Sequence, residues 1–334
     1  MITLGIETSC DETGIAIVDN GKKLSNVVSS SIHLHSQYGG VVPEIASRYH
    51  LEYIDSAIKQ AIERSGKQLT DIELIAVTYG PGLCGSLLTG ISYAKALGFG
   101  LSIPVLGINH LAAHIYANFL TKDDDRSLEY PFISLIVSGG HTSIVLCNSP
   151  MEHEILGQTQ DDAIGEAFDK VSKIMGLGYP GGPIVEKRAY LHNGKDNIKF
   201  PRAFLNKNSL DFSFSGIKTA VLYFCKDKNL TDELINDICF AFQESVFEVV
   251  TKKAVDACLK AGIKTLCIGG GVAANKTLYN KLLKDCTEKG IKFFKPSMEF
   301  CLDNGAMVAA LGEKLYIMGQ RSPLDFTAEP GLGL

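Results

Sequence analysis

Two histidines, His110 and His114, stand four residues apart in the apolar stretch Asn-His-Leu-Ala-Ala-His. Residues four apart share one face of a helix, so the two imidazole rings can hold one metal ion between them. Two ligands are too few for a tight site. Asp303, at a predicted helix N-cap, and His141, in a Gly-Gly-His turn, could supply the third, but spacing alone brings neither to the pair. On the residues alone, a pair of core histidines is an equally good interpretation.

The pair lacks the general base of a zinc peptidase. Such a helix carries Glu immediately after its first histidine. Leu111 occupies that position, and no His-Glu-x-x-His sequence occurs in the chain. The pattern therefore argues against the commonest peptidase arrangement.

Polar or glycine-rich turns follow several predicted strands. Residues 8–13 combine hydroxyls and acids, which suits either a solvated turn or a loop that meets a phosphate or its cation. Glycine-rich turns follow at 80–85, 138–140 and 269–271. Backbone amides in such turns can bind an anion, and ligands of open α/β sheets bind at strand ends. Together the three turns predict a nucleotide site, although close packing explains many single turns of this kind.

The chain is long enough for two cores, and its two halves begin alike. Each opens with an apolar strand, a Gly/Ser/Thr turn and a return strand, with a charged run at 122–126 between the halves. We therefore predict a duplicated α/β fold. The N-terminal lobe is residues 1–125, the C-terminal lobe is residues 126–334, and a partly helical insertion occupies about 150–225.

Composition indicates a cytoplasmic protein that does not enter a membrane. The most apolar stretch, 94–108, is interrupted by lysine, glycine and proline and is too short to span a bilayer, and no signal peptide is evident. Nine cysteines without a CxxC pair are expected to be buried free thiols in a reducing compartment. The net charge of −5 means that a nucleic acid would need a local basic patch. Residues 199–218, where lysines alternate with aromatics, are one candidate, and a solvated insertion is the alternative.

With these motifs in place, the chain resembles the catalytic subunits of tRNA N6-threonylcarbamoyladenosine synthase. This is the TsaD/Gcp family, formerly called O-sialoglycoprotein endopeptidases, and the resemblance is to its bacterial branch. Ala113 stands where the family commonly has glycine, so a small residue is kept. The ordered matches run through nearly the whole chain, at 5–13, 38–44, 46–48, 109–110, 114, 137–142, 165–170, 179–183, 211–216, 269–275 and 303–307.

The resemblance implies a two-lobed actin/Hsp70/sugar-kinase-like (ASKHA) fold with a cleft between the lobes. It implies a metal held by His110, His114 and Asp303, with Fe²⁺ favoured over Zn²⁺, and manganese also compatible with these ligands. Thr8 and Ser9, with Gly270 and Gly271, would belong to the phosphate and adenosine loops. The residues implied to hold the nucleotide-bearing substrate are Ile136, Val137, Ser138, Gly139, Gly140, Asp169, Gly182, Glu186 and Asn275.

The implied reaction moves a threonylcarbamoyl group from threonylcarbamoyl-AMP to N6 of adenosine 37. The acceptors would be tRNAs that read codons beginning with A, and ATP or ADP would fit the same cleft. His110 and His114 would act through the metal, and Glu12 would handle the amine proton. Arg48 and residues 199–218 would contact the tRNA phosphates.

The resemblance also implies a paralogous TsaB-like subunit and a small TsaE-like ATPase as partners. Three other functions stay open at this point. They are a metal-dependent glycoprotein peptidase, an ATP-binding scaffold without activity, and a small-molecule kinase of the same fold.

Overall fold

The computed structural model describes residues 1–120, 127–193, 198–205 and 209–334. The predicted charged run at 122–126 lies outside the described residues, as do residues 206–208 of the predicted basic patch. Within the described ranges the chain forms ten strands and eleven α-helices. In chain order they are β1 (Ile2–Glu7), β2 (Glu12–Asp19), β3 (Lys22–Ser30), α1 (Ile32–His35), α2 (Pro43–Ser65), β4 (Leu74–Gly80), α3 (Cys84–Leu101), β5 (Val105–Asn109), α4 (His110–Tyr116), β6 (Phe132–Val137), β7 (Thr142–Ser149), β8 (Glu152–Gln158), α5 (Ile164–Ile174), α6 (Gly181–Ala189), α7 (Ser215–Cys225), α8 (Asp232–Ala261), β9 (Thr265–Gly269), α9 (Lys276–Glu288), β10 (Lys292–Phe294), α10 (Met298–Cys301) and α11 (Gly305–Ile317).

The first compact unit consists of residues 1–128, 149–152 and 296–334. Its described residues form a five-stranded sheet in the order β3-β2-β1-β4-β5. β1 and β2, like β2 and β3, pair antiparallel, whereas β4 is parallel to both β1 and β5.

The second compact unit consists of residues 129–148 and 153–295 and repeats this topology. Its sheet has the order β8-β7-β6-β9-β10 within the described residues. β6 pairs antiparallel with β7 and parallel with β9, and β9 is parallel to β10. The matching strand order and directions confirm the predicted duplication of an α/β unit.

The first sheet is covered on both faces, and β2 shows how the sequence specifies this. Successive residues of a strand point to opposite faces. Ile15 and Ile17 enter a cluster with residues of α2 and α3, whereas Ala16 and Val18 enter a cluster with α4 and α11. Because the side chains that face α11, such as Ala16, are small, α11 can lie close to the sheet.

The compact units differ from the predicted lobes at the boundary after residue 125, at residues 149–152 and at residues 296–334. Residues 296–334 lie in the first unit rather than with the rest of the C-terminal half. The reason is the packing of α11, whose Ala306, Ala309 and Ala310 are buried in the cluster built on β2 and β4. The apolar pattern predicts this helix but does not indicate which sheet it covers.

No helix in the described part of the chain combines the length and apolarity needed to cross a membrane.

Replacing Gly5 by alanine should destabilise the fold, because β1 and α11 meet backbone to backbone there. A Cβ on Gly5 would lie 2.1 Å from the Gly305 carbonyl oxygen and 2.7 Å from the Ala309 nitrogen. We expect Gly5→Ala to lower the free energy of unfolding by about 3 kcal/mol, the upper end of overpacking costs. The matched control is Gly100→Ala in α3, where an added Cβ meets nothing within 4 Å. It should gain up to about 1 kcal/mol from helix propensity. Urea titration of both variants checks this, and equal stabilities would contradict it.

Candidate functional site

Helix α4 starts directly where β5 ends, and Asn109 caps it. The Asn109 Oδ1 atom accepts hydrogen bonds from the backbone amides of Leu111 (2.9 Å) and Ala112 (3.1 Å). His110 and His114 lie on one face of the helix, with ring centroids 4.6 Å apart, and both are buried. The helix therefore presents the two rings side by side, as their spacing predicts.

Asp303 lies beside both histidines. Its Oδ1 atom is 3.0 Å from His114 Nε2 and 3.6 Å from His110 Nε2. One ligand atom from each of the three residues lies within 4.8 Å of the others. The fold thus brings together the set that the resemblance implies. His141, the other candidate for the third position, lies in the second unit, in the turn after β6.

The predicted capping role of Asp303 is wrong. Asn304 is the N-cap of α11, and its Oδ1 accepts from the Met307 amide at 3.0 Å. Two consecutive cap-type residues at a helix start make the cap ambiguous in sequence. Asn304 takes that role, and the Asp303 carboxylate lies beside the histidines.

The three residues fit a divalent metal ion. Both ring nitrogens of His114 are buried and form no hydrogen bond within the described part of the chain, although Nε2 lies close to the Asp303 carboxylate. An unsatisfied buried polar group costs about 1–3 kcal/mol, and a cation bound to Nε2 would remove part of that cost. Two imidazoles and one carboxylate also form a donor set that suits Fe²⁺, Zn²⁺ and Mn²⁺.

Glu7 orients the His110 ring from behind. The His110 Nδ1–H group donates to Glu7 Oε2 at 3.0 Å, which leaves Nε2 facing Asp303. Glu7 is fully buried and also accepts from the Ser9 amide (2.6 Å) and the Thr78 hydroxyl (2.6 Å). A carboxylate behind a histidine ligand fixes the ring and its tautomer. The motifs do not single out Glu7, whose one signal is its position as the last residue of β1.

We call His110, His114 and Asp303 together the centre. The acids around the two histidines favour positive charge there. Burial opposes a charge on His110, but Glu7 and Asp303 outweigh it and raise the pKa of His110 to about 9. Burial likewise opposes ionisation of Glu7, yet the adjacent His110 holds the pKa of Glu7 below its usual range. Burial, followed by the charges of Asp303 and Asp11, raises the pKa of Glu12 well above its usual range. The neighbouring carboxylates of Asp11, Glu12 and Asp303 repel one another, and a bound cation would reduce that repulsion.

Thr8 and Ser9 are buried and make internal contacts. The Thr8 hydroxyl donates to the Ser86 carbonyl at 3.0 Å, and Ser9 Oγ lies 3.2 Å from His110 Nδ1. The Leu83 amide donates to the Ser9 carbonyl at 2.7 Å, which ties this turn to the loop after β4. Their assignment to a phosphate loop stays a prediction.

Residues 322–334, the tail segment, bind the end of β4 and the loop that follows it. The Glu329 amide donates to the Tyr79 carbonyl (2.8 Å), and the Gly82 amide donates to the Pro330 carbonyl (3.2 Å). Phe326 anchors the segment by an edge contact with the Tyr79 ring.

The tail segment also reaches the cap of α4. Asn109 Nδ2 donates to the Gly333 carbonyl at 2.7 Å, while its Oδ1 holds the first turn of the helix. One side chain therefore links the tail segment to the helix that carries both histidines.

In the second unit, the turn after β6 meets the glycine-rich loop after β9. Gly270 has a φ of +92°, and a Cβ there would lie 2.5 Å from the Val137 carbonyl oxygen. The Gly165 amide at the start of α5 donates to the Ser138 carbonyl at 3.1 Å. Cβ atoms on Gly139 or Gly140 would meet nothing within 4 Å, so this turn borders open space.

The other predicted substrate residues lie around the starts of α6 and α9. Asp169 accepts from the Gly181 amide (2.7 Å), and Glu186 accepts from the Lys276 amide (2.8 Å). Asn275 caps α9, and its Nδ2 donates to Gln243 at 3.1 Å, a partner that the motifs miss. A Cβ on Gly182 would meet nothing within 4 Å.

Ile136 and Val137 are fully buried, so only their backbone can reach a ligand. Ile136, Val137, Ser138, Gly139, Gly140, Asp169, Gly182, Glu186, Gly270, Gly271 and Asn275 all belong to the second unit.

Several cations predicted to contact tRNA already have carboxylate partners. Arg48 lies 2.6 Å from Glu44, Arg202 lies 2.9 Å from Glu248, and Lys218 lies 2.8 Å from Asp162. The Arg48–Glu44 pair is largely exposed, and such pairs contribute little to stability.

Comparison with known proteins identifies the class. By fold, the chain resembles the crystal structure of full-length HypF in its phosphate- and nucleotide-bound form. The TM-score is 0.62 and the identity 15%, over 96% of this chain and 47% of that one. This similarity supports the two-lobed fold class and carries nothing of that protein's activity.

The family follows from sequence similarity. Residues 22–310 match the model of the family TsaD, tRNA N6-adenosine threonylcarbamoyltransferase. Proteins with that name from Clostridium botulinum (strain 657 / Type Ba4) and Dictyoglomus turgidum are 47% and 49% identical to this chain. Each alignment covers 99% of this chain and 97% or 98% of the relative. The chain belongs to the TsaD family, which confirms the resemblance seen in its motifs.

Loss of a ligand should abolish stabilisation by metal. At a metal concentration 100 times Kd, the parent protein should gain about 2.7 kcal/mol against unfolding. His114→Ala and Asp303→Ala should gain none, because each leaves only two ligands. Denaturation of anaerobic protein with and without Fe²⁺ or Zn²⁺ measures this. The matched control, His153→Ala in β8, should respond as the parent does, and metal stabilisation of both ligand variants would exclude the site.

Asn109→Ser should loosen the centre without removing the helix cap. Serine is an equally good N-cap, but it lacks the Nδ2 group that donates to Gly333. We expect metal affinity to fall about tenfold, as for other residues that orient ligands, with little change in the unfolding of metal-free protein. Removal of residues 331–334 should give the same loss, because it deletes the same acceptor. Titration with Co²⁺, followed by its visible absorption, measures the affinity, and parental affinity in both variants would contradict the link.

Proposed function

We propose that this protein transfers the threonylcarbamoyl group of threonylcarbamoyl-AMP to N6 of adenosine 37 in tRNA. The acceptors are tRNAs that read codons beginning with A, and the product is N6-threonylcarbamoyladenosine. The observation that carries the proposal is the His110, His114 and Asp303 constellation in a member of the TsaD family.

The chemistry requires activation of a carbonyl group. The donor is a mixed anhydride, so its carbonyl–phosphate C–O bond breaks and AMP leaves with the electron pair. The N6 amine forms the new C–N bond and loses a proton, but its lone pair is delocalised into the adenine ring. A divalent metal held by His110, His114 and Asp303 would supply Lewis-acid polarisation of the carbonyl. Glu7 supports this by holding the His110 ring in place.

Glu12 is our candidate for the amine proton. It begins β2, and the neighbouring residue positions of that strand lie against the turn that carries Asp303. A Cβ on Gly14 would lie 2.8 Å from the Gly305 nitrogen and 2.9 Å from the Asn304 Cα atom. A carboxylate placed near the metal ligands on a rigid strand is suited to general-base work.

We assign the AMP portion of the donor to the second unit. Backbone amides of Ser138, Gly139 and Gly140, with those of Gly270 and Gly271, are the proposed phosphate and adenosine contacts. The space beside Gly139, Gly140 and Gly182 supports this assignment, since no side chain fills it. Asp169, Glu186 and Asn275 complete the proposed site, which would also accept ATP or ADP. Thr8 and Ser9 are proposed to contribute to the phosphate end.

The metal is proposed to be Fe²⁺, with Zn²⁺ as the alternative. The proposed partners beyond tRNA are a TsaB-like paralogue and a TsaE-like ATPase, and the proposed location is the cytoplasm.

Reconstitution tests the reaction. The protein, its partner subunits, synthetic threonylcarbamoyl-AMP and tRNA are combined, and the nucleosides are analysed by mass spectrometry. We expect modified adenosine from the parent and from the control His153→Ala, and a loss of at least about 100-fold in His110→Ala and Asp303→Ala.

The outcomes separate the rival functions. No product from the parent, with partners present, would overturn the transferase proposal. Full modification by His110→Ala, with a lowered melting temperature, would instead indicate a structural metal in a scaffold. Metal-dependent cleavage of a glycoprotein that disappears in the same variant would indicate a peptidase.

A further inference from the structure

Positive charge is concentrated in residues 252–295, a region that the sequence motifs do not assign to tRNA. This segment contains ten lysines and three acidic residues, a net charge of +7. The remaining residues carry 22 basic and 34 acidic side chains, a net charge of −12. A polyanion would therefore be repelled by most of the chain and attracted to this segment.

Two turns at one end of the second sheet bring four of these lysines together. Lys260 and Lys264 flank the turn from α8 to β9, and Lys289 and Lys292 flank the turn from α9 to β10. The Lys292 amide donates to the Lys264 carbonyl at 2.9 Å, so the two turns are joined through the backbone. All four lysines are exposed, and neither turn contains an acid. We call these four residues the lysine rim.

The lysine rim continues into a groove between α8 and α9. The groove has a volume of about 510 Å³ and is lined by Lys252, Lys281, Lys284 and Lys289 among others. Its α8 wall runs from Glu248 to Leu259, which at 1.5 Å per residue is about 16 Å.

Most of these lysines are not neutralised by the protein itself. Among the described residues, Lys264, Lys284, Lys289 and Lys292 form no ion pair within 4.0 Å, whereas Lys281 pairs with Glu244 at 2.9 Å. Acids do line the groove, namely Glu248, Asp256, Asp285 and Glu288. The net positive charge is therefore strongest at the rim, where acids are missing from both turns.

We infer that the lysine rim forms a binding surface for the phosphate backbone of tRNA, beside the α8–α9 groove, whose lining lysines and acids are equal in number. The inference rests on the proposed function, which makes tRNA the polyanionic substrate. Phosphate contacts of this kind position an RNA without reading its sequence, and double-stranded RNA is recognised largely in this way. Their contribution is salt-dependent, because each bound phosphate releases counterions.

Charge reversal at the rim tests the inference. In the double variant Lys264→Glu/Lys292→Glu, tRNA affinity should fall by at least about tenfold, and the slope of log Kd against log salt should decrease by about 2. The matched control is Lys22→Glu/Lys314→Glu, which makes the same change in net charge at two exposed lysines of the first unit. The control should bind tRNA as the parent does. Fluorescence anisotropy with full-length protein and labelled tRNA at several salt concentrations measures both quantities.

Turnover provides the second measurement. The rim variant should show a raised KM for tRNA with kcat retained at saturating tRNA, because the rim contacts no reacting atom. Equal tRNA affinity and salt slope in the rim and control variants would overturn the surface. If the parent binds tRNA in the expected salt-dependent way but forms no modified adenosine, the proposed reaction fails while the surface stands.

Discussion

The buried hydrogen bond between Glu7 and His110 is the contact on which the rest of the first unit's centre depends. It joins the end of β1 to the start of α4, and the same carboxylate accepts from Thr78 on β4. A buried carboxylate is stable only when its oxygens accept hydrogen bonds. The positions of α4 and β4 relative to β1 are therefore fixed by the need to bring His110 and Thr78 to Glu7. The sheet thereby fixes the ring of His110, and the ring fixes where a metal can bind.

The two units share one topology but differ in the turn that follows their first strand. In the first unit the turn after the first strand is closed, since Thr8 and Ser9 are buried and bonded to neighbouring loops. In the second unit the equivalent turn, Ser138–Gly140, borders open space. Buried side chains with hydrogen bonds line the first of these turns, and open space borders the second. The duplicated fold gives both units the same strand order, and the two turns differ in their residue types.

The sequence predicts local features of the site better than distant ones. The helical period places His110 and His114 on one face of a helix. Successive apolar residues of β2 point to opposite faces of the sheet, which explains why both faces are covered. The spacing of residues in the sequence could not predict that Asp303 lies beside the histidines, because this contact depends on the packing of α11 against the first sheet. The resemblance supplied this contact, since family motifs preserve positions that meet only in the folded chain. The role of Glu7 was not predicted, because its residue type does not distinguish it from the other acids of the turn that follows, Asp11 and Glu12. The choice between Asp303 and Asn304 as cap depended on backbone conformation, which neither residue type determines.

The link from Asn109 to Gly333 has a consequence for how the protein folds. These residues are 224 positions apart, and His114 and Asp303 are also remote in the chain. Contacts between residues so far apart in sequence close large loops. Because closing a large loop costs entropy, these contacts form later than local structure does. Helix α4 can form early from its own cap, but its histidines acquire their third partner only when the last segments have docked. A partly folded chain therefore offers two histidines without Asp303, and the full set of three candidate metal ligands exists only once the fold is complete.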